Sequence, residues 1–186
     1  MSITSGVLVG NPRPASRTLG AALALRDALH RVVGDVETGL VVETGPVVDA
    51  AELAQQVFAP GATEVKAALT ALGATNVLVV ASPTYKATYT GLLKAVLDQA
   101  PAGWLKGVVA LPLQVAAADK HALAVDLHLR PVLVELGATV PGPGVFVNES
   151  RLNGDHELLT GELAAELETT GVADSLRALL GVTAKV

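Results

Sequence analysis

Short apolar runs alternate along the chain with stretches whose apolar residues recur every three or four positions. GVLVG (6–10) is short and β-branched, as expected of a buried strand. LGAALALRDALHRVV (19–33) carries its apolar residues at helical spacing and ends at Gly34, the expected residue just past a helix C-terminus. GLVVE (39–43) reads as a second, weaker strand, DAAELAQQVF (49–58) as a short helix and TEVKAALTALG (63–73) as a clearer one. NVLVVAS (76–82) is the strongest strand pattern, followed by a helix at 91–99 and a strand at GVVALPLQV (107–115). The stretch 119–137 reads as one long helix, kinked where Pro131 removes an N–H. ATVPGPGVFV (138–147) gives a last strand bent by Pro and Gly, and 157–181 is helical with breaks expected at Gly161 and Gly171.

Strands that are apolar throughout and separated by helices imply a parallel sheet covered on both faces. Five strands in 186 residues suit a flavodoxin-like α/β three-layer sandwich, strand order 2-1-3-4-5, as one domain over 1–186. In such a sheet a ligand lies beyond the carboxyl ends of the strands, at the switch point between strands 1 and 3. The two most unusual loops, NPRPASRT after strand 1 and SPTYKATYTG after strand 3, fall there.

Composition narrows the chemistry. A formal net charge of −5 argues against a nucleic-acid partner, whose phosphates need a basic surface. Cysteine is absent, which removes thiol nucleophiles, disulfides and thiolate metal sites and fits a cytoplasmic setting. The apolar runs reach about half the roughly 20 residues a bilayer span needs, so no membrane partner is expected. Four scattered histidines without a close pair make no metal centre: His30 lies on a polar helix face, His128 on the 119–137 stretch, and His156 in a polar tail. Trp104 reads as packing, and Glu162, Glu166 and Glu168 as a solvated helix face.

NPRPASRT leaves a strand and enters a helix, so free backbone N–H groups face the loop. Arg13 and Arg17 add charge, and Ser16 and Thr18 add hydroxyls, a combination suited to a phosphate monoester. The alternative is a plain helix N-cap at Ser16 or Thr18 with solvated arginines. No GK[ST] or G-x-G-x-x-G fingerprint is present. SPTYKATYTG holds both tyrosines of a chain with only one Trp and two Phe besides. Tyr85 could cover a flat heterocycle while Pro83, Thr84 and Lys86 offer main chain; packing at the sheet end is the alternative.

Taken together, GNPRPASRT (10–18) and SPTYKATYTGLLKAVLD (82–98) resemble the NAD(P)H-dependent FMN reductases of the flavodoxin-like superfamily, nearest those of sulfonate utilisation. The likeness continues through LKGVVALPLQ (105–114), 121–138 and GVFV (144–147). It implies hydride transfer from NAD(P)H to the N5 of FMN, with reduced flavin passed to a flavin-dependent monooxygenase or another acceptor. That chemistry belongs to the cofactor, which accounts for the lack of a catalytic triad or paired carboxylates. On this resemblance Arg13, Ser16 and Thr18, with Arg17 as a further candidate, contact the FMN phosphate. Asn11 stands for the usual Ser and keeps a donor. Pro83, Thr84, Tyr85 and Lys86 run along the ring, with Tyr89 structural or at a subunit contact. Ala116 and Ala117 replace a Gly-Gly pair beside the flavin, which implies weaker, dissociable FMN. His121 falls at a family position near the flavin loop. In sulfonate-type relatives the helix after this loop lies at a tetramer interface, so a homodimer or homotetramer is expected. The same loops also suit an FMN-dependent quinone or azo reductase, a flavodoxin-type electron carrier, or a relative that has lost flavin.

Overall fold

The computed structural model describes residues 2–34 and 40–181, and the chain forms a five-stranded sheet of order β2-β1-β3-β4-β5, parallel throughout. The strands are β1 (Ser2–Val9), β2 (Val41–Asp49), β3 (Val77–Pro83), β4 (Val109–Ala116) and β5 (Val145–Asn148). Gly39, the expected start of the second strand, lies outside the described residues. The helices are α1 (Arg17–Val33), α2 (Ala50–Leu53), α3 (Thr63–Gly73), α4 (Gly91–Leu97), α5 (Arg130–Glu135), α6 (His156–Thr169) and α7 (Val172–Leu179). Among the described residues no helix is long and apolar enough to cross a membrane.

Side chains alternate across each strand, and in β3 and β4 both faces are covered, so these two strands read as nearly unbroken apolar runs. Val77, Val79 and Ala81 enter one core layer with α1, α6 and α7, while Leu78 and Val80 enter the other with α3, α4 and α5. Helix α1 packs closely because Ala21, Ala22, Ala24 and Ala28 are fully buried on one face. Its leucines Leu25 and Leu29 are also fully buried, each stabilising the fold by about 1.5–3 kcal/mol.

Several expected elements differ. The helix at 49–58 stops at Leu53, ahead of Pro60 and Gly61 at φ +88°, leaving Phe58 87% exposed. The stretch 119–137 is not one kinked helix. A 3₁₀ turn at Asp119–His121 is followed by a π turn at Val125–Leu129 and then α5. Arg130 N–H reaches back five residues to the Val125 carbonyl, and this wider turn precedes Pro131, whose ring cannot continue a regular helix. Strand β5 is limited to four residues, because Pro141, Gly142, Pro143 and Gly144 separate it from Thr139, which makes only a bridge to Val109. Helix α6 runs unbroken through Gly161; a single glycine costs about 1 kcal/mol, which packing on α1 outweighs. Gly171, at φ +74°, does end α6. Gly34 caps α1 through its N–H to the His30 carbonyl at 2.9 Å but in extended, not left-handed, geometry.

His30 is half-buried, not solvated, with Nε2 2.6 Å from the Ser5 hydroxyl. The tail carboxylates are also engaged: Glu162 and Glu166 pair with Arg151, and Glu168 pairs with Arg177. His156 lies 2.9 Å from Asp27, and the Trp104 indole donates to the Leu69 carbonyl at 2.7 Å.

Candidate functional site

Strand β1 leaves the sheet at Gly10, whose N–H donates to the Ala81 carbonyl at 2.8 Å. A Cβ on Gly10 would lie 2.2 Å from that of Leu93, so only glycine lets the strand exit pass this close to α4. Asn11 is buried and organises the loop between β1 and α1. Its carbonyl oxygen accepts from Arg13 N–H at 2.9 Å, and its amide donates to the buried Thr18 hydroxyl at 3.1 Å. Ala15 is held at φ +49°, its N–H donating to the Asp49 carboxylate at 3.0 Å. Ser16 caps α1, its hydroxyl accepting from Leu19 N–H at 3.3 Å. The N–H groups of Ser16, Arg17 and Thr18 have no acceptor among the described residues, as the first turn of a helix requires.

The loop after β3 is tightly wound. Thr84 N–H donates to the Val115 carbonyl at 2.7 Å, tying the loop to β4. Tyr85 and Thr88 exchange main-chain bonds at 2.8 and 3.2 Å across Lys86 (φ +52°) and Ala87 (φ +68°). Two successive left-handed residues form a type I′-like turn, which here carries neither Asn nor Gly. Each such residue costs about 1–2 kcal/mol, so the surrounding contacts hold the turn against strain. Ser82 accepts from Thr90 N–H at 3.0 Å, and Thr90 caps α4 while its hydroxyl donates to the Gly10 carbonyl. That bond joins the two loops directly.

Both loops open on one cavity of about 320 Å³. Of the residues singled out from the sequence, Asn11, Arg13, Ser16, Arg17, Thr18, Pro83 and Tyr85 line it. Thr84 and Lys86 belong to the same turn without lining the cavity, although the Thr84 hydroxyl is buried without a partner among the described residues. Ala116 is buried at the end of β4 and Ala117 is exposed beside it; neither has a positive φ, so alanine follows this backbone without strain. Tyr89 packs against the core layer under α4. His121 is half-buried just beyond Ala117, and His128 is exposed on the π turn. Sequence reasoning missed Val115, Glu149 and Leu152, which complete the wall. Glu149 pairs with Arg17 at 2.6 Å from 132 positions away, a separation no local pattern reveals. Among the described residues no cluster of His, Cys, Asp or Glu could hold a metal ion. A larger open groove of about 640 Å³, beside Phe58 and α4, touches the two loops only at Gly91.

The arrangement suits a phosphorylated ligand. Ser16, Arg17 and Thr18, whose main-chain N–H groups have no acceptor among the described residues, line the cavity where α1 begins, and Arg13 has no ion-pair partner among the described residues. Tyr85, 48% exposed, and Pro83 give an apolar wall adjoining them. Residues 3–151, which include every one of these groups except Leu152, match the model of the family described as NADPH-dependent FMN reductase. The chain belongs to this family.

Relatives within and around the family agree. The FMN reductase (NADPH) of Escherichia coli (strain K12) is 43% identical over 94 residues, covering 50% of this chain and 49% of that protein. The chain therefore matches about half the length of this curated relative. The NADH-dependent FMN reductase SfnF of Pseudomonas putida is 26% identical over 155 residues, covering 81% and 80% of the two chains. Among solved structures, the apo form of an NADH:FMN oxidoreductase superposes with a TM-score of 0.69 at 27% identity, covering 98% of this chain and 91% of the other.

Proposed function

We propose that this FMN reductase family member uses NAD(P)H to reduce FMN, taken up as a dissociable substrate, and passes the reduced flavin to a partner monooxygenase or another acceptor. The observation that carries the reading is the single cavity in which a phosphate-type helix N-terminus meets the Pro83–Tyr85 wall. Bound FMN would supply the ring that takes a hydride from the nicotinamide. The chain's own part is to bind and orient. Arg13, Ser16, Thr18 and the free amides of the first turn would hold the phosphate. Pro83 and Tyr85 would cover apolar flavin surface. Weaker flavin retention rests on the resemblance, in which Ala116 and Ala117 stand for a Gly-Gly pair; neither alanine lines the cavity and neither has a positive φ.

A homodimer or homotetramer belongs to the same reading, supported by Leu123, Leu127 and Val134, which are 69%, 67% and 54% exposed along the 119–137 segment. A cytoplasmic location, where nicotinamide nucleotides are held, belongs to it too. The test is steady-state oxidation of NADPH and of NADH by the purified protein, with and without added FMN. The protein is expected to purify nearly colourless and to oxidise nicotinamide only when FMN is supplied. Fully yellow protein that turns over quinone without added FMN would replace this reading with a quinone reductase. Yellow protein inert to both nucleotides would replace it with an electron carrier.

A further inference from the structure

Glu149 brings a carboxylate to a cavity whose other charged side chains are Arg13 and Arg17. It is the first residue of the 3₁₀ turn Glu149–Asn153, directly after β5. The backbone that carries it is well anchored. Asn148 accepts from the Ser150 N–H at 3.0 Å and from the Ser150 hydroxyl at 2.9 Å, and its amide donates to Asp119 at 2.6 Å. Glu149 is thus presented across the cavity to Arg17, the first residue of α1, at 2.6 Å. Arg17 is 59% exposed and Glu149 38% exposed, so the pair is partly open to solvent where it lines the cavity. The other arginine of the loop, Arg13, has no ion-pair partner among the described residues.

The two arginines therefore face an incoming phosphate in different states. Arg13 can turn to it directly. Arg17 already holds an anion, and one whose backbone is fixed. A phosphate dianion entering the cavity meets the Glu149 charge and competes with it for the same guanidinium. We propose that Glu149 is a built-in competitor for Arg17, an affinity-setting residue that keeps a phosphorylated flavin exchangeable, a proposal that rests on the flavin reading of the cavity. The carboxylate acts only against the phosphate, so it weakens FMN and leaves riboflavin, which lacks the phosphate, unaffected.

The experiment compares Glu149→Gln, Arg17→Gln and the double variant with the unsubstituted protein. Dissociation constants for FMN and for riboflavin are measured by quenching of flavin fluorescence at low ionic strength. Glu149→Gln keeps the size and hydrogen-bonding capacity of the side chain and removes its charge. The expected result is FMN binding tighter by about two- to fivefold, the range of an exposed ion pair, with riboflavin unchanged. In the Arg17→Gln background the gain is expected to vanish, because the contested cation is gone. FMN affinity unchanged or weakened by Glu149→Gln would overturn the proposal, the second case showing that Glu149 orients Arg17 for the phosphate. A gain that persists without Arg17 would overturn it as well, since the carboxylate would then act without competing. Failure of the unsubstituted protein to bind any FMN would remove the flavin reading itself, an outcome distinct from unaltered affinity in the Glu149 variant.

Discussion

Arg13 and Arg17 look equivalent in the string NPRPASRT, and the structure separates them. One lies exposed at the cavity without an ion-pair partner among the described residues, and the other is joined to Glu149. Replacing Arg13 by Ala is expected to weaken FMN by about tenfold and riboflavin hardly at all, since a hydrogen bond to a charged group contributes roughly 1.5–3 kcal/mol and only FMN offers one here. Equal losses for the two flavins in a fluorescence titration would show that Arg13 does not meet the phosphate. That the two loops line one cavity was readable because their features are local: amides at a helix start, hydroxyls, a guanidinium. Asn11 was readable only in part. Its donor was expected, but its second role, accepting from Arg13 N–H, depends on a turn that the sequence does not spell out. Glu149 and Leu152 were not readable, because they reach the cavity through the order of the strands and not through any spacing along the chain.

At the level of elements, period and length were reliable where packing agreed with them, as in α3, which spans the expected 63–73. They failed where a proline intervened. Apolar spacing runs through 119–137, yet Pro131 lacks the N–H a continuous helix needs, and the chain answers with a π turn. Burial of His30 was also hidden, because its partner Ser5 comes from another element. Burial, and then the nearby Arg26 charge, push the His30 imidazole below its ordinary value near 6.5, against an opposing pull from Asp27. The unfolded chain takes up this proton near pH 6.5 while the folded chain still resists. Between the lowered folded value and 6.5 the unfolded state thus binds more protons, and stability rises with pH. Urea denaturation is expected to show stability falling as pH drops below about 6.5, with a shallower fall in His30→Gln. Identical pH profiles would exclude His30 as the source. Gly10 gives a second expectation at this scale. Gly10→Ala forces the exit of β1 away from Leu93 on α4 and is expected to cost about 1–3 kcal/mol or more in the same assay. An unchanged denaturation midpoint would show that the two elements separate freely.

Over the whole molecule, strand order was the most legible property, because right-handed crossovers leave few orders open and five strands in this length suit 2-1-3-4-5. That order places the loops after β1 and β3 side by side, and the cavity at the carboxyl ends of these strands lies where it predicts. What covers the outer surface was less legible, since amphipathic spacing does not say which face meets the sheet. Leu129 and Leu133 are fully buried against it, leaving Leu123, Leu127 and Val134 outside. Light scattering at micromolar concentration is expected to report a dimer or tetramer, and Leu127→Glu is expected to shift it toward smaller species. A monomeric unsubstituted protein would contradict the proposed assembly.

The bond from the Thr90 hydroxyl to the Gly10 carbonyl has a consequence for how news of binding spreads through the protein. Thr90 also caps α4 and steadies Ser82, so the loop between β1 and α1 and the turn after β3 share one fastening. Whatever quiets one loop should then quiet the other, through linkage and without touching it. Inorganic phosphate is small enough to occupy only the first. Amide hydrogen exchange at Tyr85 and Thr88 should nevertheless slow when phosphate is added, and Thr90→Val should cut that message while leaving phosphate its place. The two halves of the site would then behave as a single responsive body, so that a ligand seated by its charged end prepares the surface that receives the rest.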